Sequence, residues 1–436
     1  MRIKQQWGIA LLVFVMLVYF SFYFFAFGNK TESIKEIYFA DRITAAHKVL
    51  IDKYNRLNEG KLKIVPIDFP HFDFSTNERK ELLARSLRGR GNGIDLFAVD
   101  VIWVQRFAKW CEPLDKYFSE EETDRILDNA LKSCYFENSL VAVPLDQVQG
   151  ILYYREDLIN KLDKSGKLVD KLKEDITWEE FVDIKNQINY DAPFYVFPAA
   201  DYEGLICCFY ELLLGLNPDY CEQYGFNLKT AEAEKSLRLL VDLVHKYKLS
   251  PPVISEFSEA PSYEYFVNND ALFIRGWHSF AKDFLERPIN REKQRHLRKA
   301  PVPYFKDGKP SSVFGGWDLM VSKFSDKKKE AVDFIKFLLS EKSQEVLYKD
   351  AAYLPVIKSF YEDEELTKRY PEMSDYKKII KTGVHRPAHV EYTRYSEIMS
   401  HYFEMAIKKE ISVEEALEKA TNSIKEESIL LKNLCN

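Results

Sequence analysis

Gly93–Asp100 reads GIDLFAVD, and its reading decides the fold. Leu96–Val99 is apolar at four successive positions, so both faces of the segment are apolar, as expected of a strand buried on both sides in a parallel sheet. Upstream, IKEIYFA (34–40) has strand character, and TAAHKVLIDKYNRLN (44–58) sets Ala45, Ala46, Val49, Leu50, Tyr54 and Leu57 at helical spacing. KLKIVPIDF (61–69), NERKELLARSLR (77–88) and, downstream, VQRFAKW (104–110) continue the alternation. Strands that alternate with helices predict an open α/β sheet, and such sheets bind ligands outside the carboxyl ends of their strands. Asp41 and Asp100 fall at those ends. Helix capping is the other role open to both.

Further strands are expected at LVAVPL (140–145), GILYYR (150–155), ALFIRGW (271–277) and DLMVSK (318–323). Helices are expected at YEGLICCFYELLLG, EAEKSLRLLVDLVHKY, KEAVDFIKFLLS and VEEALEKATNSIKEE. Ser119 with Glu122, Thr177 with Glu180 and Ser412 with Glu415 have the spacing of capping boxes. No repeat, low-complexity linker or Gly/Ser tether divides the chain, which suits two lobes joined by several short crossings. The expected lobes are 34–147 plus 270–323 and 148–269 plus 324–436. Crossings are expected near Asp146, Asn269 and Ser325.

The 436 residues hold 62 basic and 68 acidic side chains, a formal charge of −6, which removes the cationic footprint of a nucleic-acid binder. Trp7–Phe27 carries no charge over 21 residues and follows Arg2 and Lys4. That length crosses a bilayer core, and the preceding cations leave the start of the chain in the cytoplasm, with everything after about residue 29 outside. The run, within 1–30, is expected to be an uncleaved membrane anchor, with a cleaved signal segment as the alternative. All six cysteines lie in the exported part, where disulfides are permitted, but their spacing specifies none.

No Gly-rich phosphate loop, paired CxxC or HExxH is present, and Pro387 interrupts the His385/His389 pair, so neither metal nor cofactor is expected. What stands out is SVFGGWDLMVSK (312–323), where Gly315 and Gly316 precede Trp317 and Asp318. Glycines admit close approach of backbone, an indole offers a flat apolar face and a carboxylate offers two acceptors. This is a grip for a polar ligand with an apolar face, read as a glycine turn ahead of a strand. Similar aromatic and polar clusters recur at DVIW (100–103), DQVQ (146–149), DYEG (201–204), RGWH (275–278) and RPAHVEYTRY (386–395). A cleft built from many loops, with Trp277 and Trp317 as stacking platforms, fits that scatter; core packing is the alternative for each indole.

The segments GIDLFAVDVIWVQRFAKWCEPLD, VPLDQVQGILYYREDL, TWEEFVDI, DYEGLICCFYELLLGL, FVNNDALFIRGWHSF and the long GGWDLMVSKFSDKKKEAVDFIKFLLSEKSQEVLYKDAAYLPVIKSFYED resemble, in order, the extracellular solute-binding proteins of family 1. These are the sugar-binding components of ABC importers, similar to maltose- and trehalose-binding proteins. The resemblance implies a periplasmic-binding-protein-like (type II) fold whose two α/β lobes close on a ligand by hinge motion. It also implies binding rather than catalysis, a carbohydrate ligand, an ABC transporter permease as membrane partner, and a monomer. Matched motif by motif, Asp100, Tyr202, Glu203, Trp277, Gly316, Trp317 and Arg386 are expected to meet ligand. Asp41, Asp146, Gln147 and Asp318 join them by position and chemistry.

Departures from the family pattern stand at Val148, where relatives carry an aspartate, and at His278, where they carry proline. The lipid-attachment cysteine of many relatives is missing. These leave room for a sensor subunit that reports to a membrane partner and, further off, for an exported carbohydrate-active enzyme.

Overall fold

A parallel trio of strands, β1 (Lys35–Asp41), β2 (Leu62–Asp68) and β3 (Leu96–Asp100), surrounds the apolar run, in the order β2-β1-β3. The structure, a computed structural model, describes residues 14–19, 34–69, 76–90, 93–280 and 291–435. Leu96–Val99 is fully buried, as its two apolar faces require. After a two-stranded ribbon, β4 (Tyr135–Phe136) with β5 (Ser139–Leu140), the chain enters β6 (Val143–Arg155). The second group comprises β7 (Tyr195–Val196), β8 (Phe273–Trp277) and β9 (Leu297–Ala300). Last come β10 (Ser312–Val321) and β11 (Gly383–Val384).

β6 and β10 run antiparallel and change partners along their length. Trp317–Val321 of β10 pairs with β3, whereas Ser312 and Val313 pair with β11. Between Val143 and Gln149, β6 pairs with β10; from Gly150 onward it pairs with β8 and β9. One pair of strands therefore crosses between two lobes, the first built on β2-β1-β3 and the second on β7-β8 and β9, which flank the far half of β6.

Helix packing follows the same division. Helices Lys328–Leu338 and Glu341–Ala351 cover the first lobe, where Phe334 meets Phe39 at 5.8 Å and Tyr54 at 4.9 Å between ring centroids. In the second lobe Phe181 of helix Trp178–Gln187 meets Phe273 at 4.8 Å. Helices Glu203–Leu216 and Tyr392–Ile407 pack together through Phe209 and Phe403, 4.7 Å apart. Helix Met373–Ile380 touches both lobes: Lys377 Nζ donates to the Tyr361 carbonyl at 3.0 Å, and the Tyr376 ring lies 4.6 Å from that of His278.

Several expectations are corrected. The end of LVAVPL, Val143–Leu145, and GILYYR are parts of one strand, continuous through Asp146–Gln149 because those backbones pair with Phe314–Trp317; Leu140 belongs to β5. The glycines of SVFGGW lie inside β10 and form no turn. Residues 270–311 were expected in the first lobe, but β8 and β9 pair with the far half of β6, in the second; helices 328–351 were expected in the second, but they pack on the first. Asn269 only leads into β8, so no crossing occurs there. Val49 and Leu57, counted in the apolar stripe of helix Ala45–Leu57, face outward. The capping boxes of Ser119 and Thr177 form as expected. The proposed anchor lies outside the described residues except for 14–19, a helical stretch; among the described residues no helix is long and apolar enough to cross a membrane.

Gly316 has φ +133°, and a Cβ there would meet the Asp146 carbonyl oxygen at 2.3 Å. Gly316→Ala is expected to destabilise the protein by about 1–3 kcal/mol, since both backbone conformation and space exclude a side chain. Denaturant unfolding checks this, and an unchanged midpoint contradicts the role of Gly316 in the crossing.

Candidate functional site

Strand pairing sets Asp100, Trp317 and Asp146 side by side on β3, β10 and β6. Residues opposite one another in a sheet share a face, so two carboxylates flank one indole. Asp146 Oδ1 accepts the Trp317 N–H at 2.9 Å. Asp100 accepts the Ile102 N–H at 3.1 Å, capping the short helical turn Val101–Trp103, and remains partly exposed. The capping role its sequence left open is thus filled. Trp317 receives the edge of Trp103 at 5.8 Å and the Arg79 guanidinium at 4.2 Å from its ring centroid, and is only partly buried.

Asp41 sits behind this row. It is 1 % exposed and accepts from the Arg42 N–H at 2.6 Å and from Arg79 Nη2 at 3.2 Å, with His47 Nε2 3.5 Å away. Its carboxylate therefore faces the arginine that covers Trp317. Gln147 is buried with its Oε1 unpartnered.

Asp318 is a correction. Successive strand residues point to opposite faces, so Asp318 turns away from Trp317 into the first lobe, where it is wholly buried and accepts from Ser133 Oγ at 3.3 Å. Burial pushes its carboxyl well above the usual range. It is a core carboxyl beneath the sheet, off the face that carries Asp100 and Asp146.

The second lobe supplies the opposing wall. Glu203, at the start of helix Glu203–Leu216, accepts from Arg386 Nη1 at 2.6 Å, from the Tyr392 hydroxyl at 2.8 Å and from Ser396 Oγ. Arg386 also donates to the Phe314 carbonyl at 3.0 Å and lies 3.8 Å from Asp100. It thus links the second lobe to the end of β3. Lys80 and Glu397, 3.3 Å apart, make another contact between the lobes. Tyr202 precedes the helix and folds its ring over Gly204, where a Cβ would meet the hydroxyl at 2.0 Å. Trp277, the end of β8, lays its ring against Gly315 and donates Nε1–H to Glu259 at 3.3 Å. It too is only partly buried.

The sequence-expected residues Asp100, Asp146, Gln147, Glu203, Trp277, Gly316, Trp317 and Arg386 gather where the lobes meet. Arg79, Glu259, Tyr392 and Ser396 belong to the same place and were missed, because nothing in their local sequence sets them apart. The tract RPAHVEYTRY did contain Tyr392. His278 lies off the cleft, buried against Lys299 Nζ at 3.3 Å and Tyr376. Among the described residues no cluster of metal-ligating side chains occurs, and Cys111, Cys134, Cys207, Cys208 and Cys221 are free.

The site holds its acids under strain from desolvation. Burial raises Asp100 to about 6, against the pull of Arg386, and Asp146 to about 8. Glu259 is raised by burial as well. Carboxylates in water would ionise near pH 4. Burial at the junction of the lobes thus favours the protonated acids.

Residues 39–345 match the family of bacterial extracellular solute-binding proteins. A probable ABC transporter-binding protein of Deinococcus radiodurans is 24 % identical over 334 residues, 74 % of this chain and 76 % of that protein. Maltose-bound MalE3 of T. maritima superposes with a TM-score of 0.77 at 25 % identity, over 89 % of this chain and 99 % of its own. The GacH receptor of Streptomyces glaucescens, solved unliganded and with acarbose, gives 0.74 at 19 %, over 91 % and 98 %. The likeness to these structures is that of a two-lobed binding fold.

Burial in the folded protein raises Asp100 and Asp146 above their solvated values, so folding takes up protons at these groups. Their contribution to stability is full below about pH 4 and is lost as pH rises through about 6 and then about 8. In denaturant unfolding of ligand-free protein, the wild type should lose more stability than Asp100→Asn/Asp146→Asn between pH 5 and pH 9. Equal losses would contradict the raised carboxyls.

Proposed function

Because this chain belongs to the bacterial extracellular solute-binding proteins, we propose that it captures a neutral mono- or oligosaccharide between its lobes and delivers it to an ABC transporter permease. One observation carries the reading: Trp317 of the first lobe and Trp277 of the second, both partly exposed, flank the junction of the lobes together with Asp100, Asp146 and Glu203. A sugar ring has C–H faces that stack on indoles and edge hydroxyls that bind carboxylates and arginines, and this cleft offers both kinds of contact. The ligands named for similar proteins, maltose, acarbose and tagatose, have that chemistry. Asp100, Asp146, Gln147, Glu203 and Arg386 bind hydroxyls, the indoles stack, and Asp41 acts through Arg79. The hinge is the β6/β10 pair, which puts 35–149 and 317–362 in the first lobe and 150–315 and 383–435 in the second.

The charge-free run Trp7–Phe27 tethers the protein to the outer face of the cytoplasmic membrane. Its apolar length supports this, as does the described stretch Phe14–Tyr19, helical with every side chain exposed. Full-length protein should fractionate with membranes and a chain lacking 1–30 should not; release of both into the soluble fraction would overturn the tether.

Thermal unfolding of residues 31–436 against a panel of mono- and oligosaccharides tests the capture. A ligand at ~100 times its Kd adds about 2.7 kcal/mol. A shift with one class of sugar is expected, and Trp317→Ala should then weaken binding by about 2 kcal/mol. Well-folded protein free of prebound ligand that shifts with no sugar would overturn the reading.

A further inference from the structure

We propose that the buried Arg275–Glu211 ion pair is the device that positions Trp277 as the stacking platform of the second lobe; this deepens, and rests on, the sugar-capture reading. Arg275 Nη2 donates to Glu211 Oε1 at 2.7 Å and Nε to Oε2 at 3.3 Å, with the two side chains 1 % and 7 % exposed. The guanidinium lies 4.1 Å from the centroid of the Trp277 ring. Arg275 and Trp277 are two apart on β8, so they share a face of the strand. Since the arginine is buried and the indole is not, the arginine backs the ring on its inner side and leaves the other side to the cleft.

The rest of the ring is held as well. Its Nε1–H reaches Glu259, its edge rests on Gly315, and the Trp277 N–H donates to the Tyr263 hydroxyl at 3.0 Å. Glu211 in turn belongs to the helix that begins with Glu203, and its Oε1 accepts the Val313 N–H of β10 at 3.4 Å. One carboxylate therefore ties the platform to the ligand-facing helix and to the crossing strand. Room for the pair comes from Gly150 of β6: a Cβ there would meet Glu211 Oε1 at 1.9 Å and Arg275 Nη2 at 2.7 Å.

A buried ion pair is a poor source of stability, because desolvation offsets most of its attraction and apolar replacements of similar volume are often as stable. Packing alone thus gives little reason for charge at this spot. The flat, rigid fork of arginine does give one, since it stacks on an aromatic face while its edge is fixed by a carboxylate. The first lobe repeats the arrangement, with Arg79 held by Asp41 and lying 4.2 Å from the Trp317 centroid.

The test is fluorine NMR on ligand-free protein labelled with fluorotryptophan, the Trp277 resonance being assigned by its loss in Trp277→Phe. In the double variant Glu211→Leu/Arg275→Met both charges go together, so none is left buried and unpaired. The expected result is that Trp277 alone broadens or splits, while Trp103, Trp178 and Trp317 keep their line widths and the melting temperature stays within a few degrees. A Trp277 line as narrow and single as in the wild type, in folded double variant, would overturn the proposal even if it had shifted. Should the double variant not fold, Arg275→Lys, which keeps the charge for Glu211 without the planar fork, is read by the same criterion. Maltose titration then separates the two readings. If wild-type protein binds maltose, the double variant should lose at least 10-fold in affinity; unchanged affinity would overturn the positioning role. If no sugar binds wild-type protein while Trp277 broadens in the variant, the capture reading fails and the positioning role stands.

Discussion

The backbone contact between Gly316 and Asp146 governs the architecture. There β6 and β10 run close enough that no side chain fits at Gly316, and on either side of that point the two strands belong to different sheets. The residues that would meet a ligand are neighbours of the same point in register: Asp146 and Trp317 directly, Asp100 one strand further, Gly315 beneath Trp277. The strands that cross between the lobes therefore also carry the Asp100–Trp317–Asp146 row, which strand pairing fixes. The hinge proposed at this crossing would move the second-lobe wall against the first and leave that row intact, as closure around a ligand requires.

Charge explains the second half of the design. Strand pairing and Arg386 bring Asp100, Asp146 and Glu203 together at the junction of the lobes, and burial makes ionisation of Asp100 and Asp146 costly, as their raised carboxyls record. Arg386 reduces that cost by lying between Glu203, Asp100 and the Phe314 carbonyl. Gln147 Oε1 and Arg386 Nε are buried at the same junction without hydrogen-bond partners, and buried polar groups left unpaired are costly.

Much of this was legible in the sequence. GIDLFAVD announced a central strand because it is buried on both faces, and the alternation around it announced the sheet. Family motifs meet at the junction of the lobes: DVIW at the end of β3, RGW at the end of β8, GGW on β10 and DYEG at the start of helix Glu203–Leu216. The lobe boundaries were not legible: β8 and β9 join the second lobe through long-range pairing with β6, and no local property of ALFIRGW says which end of a thirteen-residue strand it will meet. Asp318 misled for a related reason. It follows Trp317, but a strand alternates, and only the register with Val99 and Pro144 shows that its carboxyl faces the core.

The arginines behind the indoles were invisible for a different reason. Arg79 sits in the charged helix NERKELLARSLR and Arg275 inside a buried strand, and sequence assigns the first to solvent and gives the second no partner. Both are nevertheless nearly inaccessible, each fixed by a carboxylate far away in the chain, Asp41 in one case and Glu211 in the other. A flat ring that must present one face to a mobile ligand needs its other face occupied, and an apolar side chain there would leave it free to pivot. A planar cation clamped by a carboxylate constrains the ring in position and in tilt at once, a geometric return that can justify two charges in a place where stability alone would not keep them. The cleft thus depends on groups that never reach it, and these are the groups that local sequence patterns are least able to reveal.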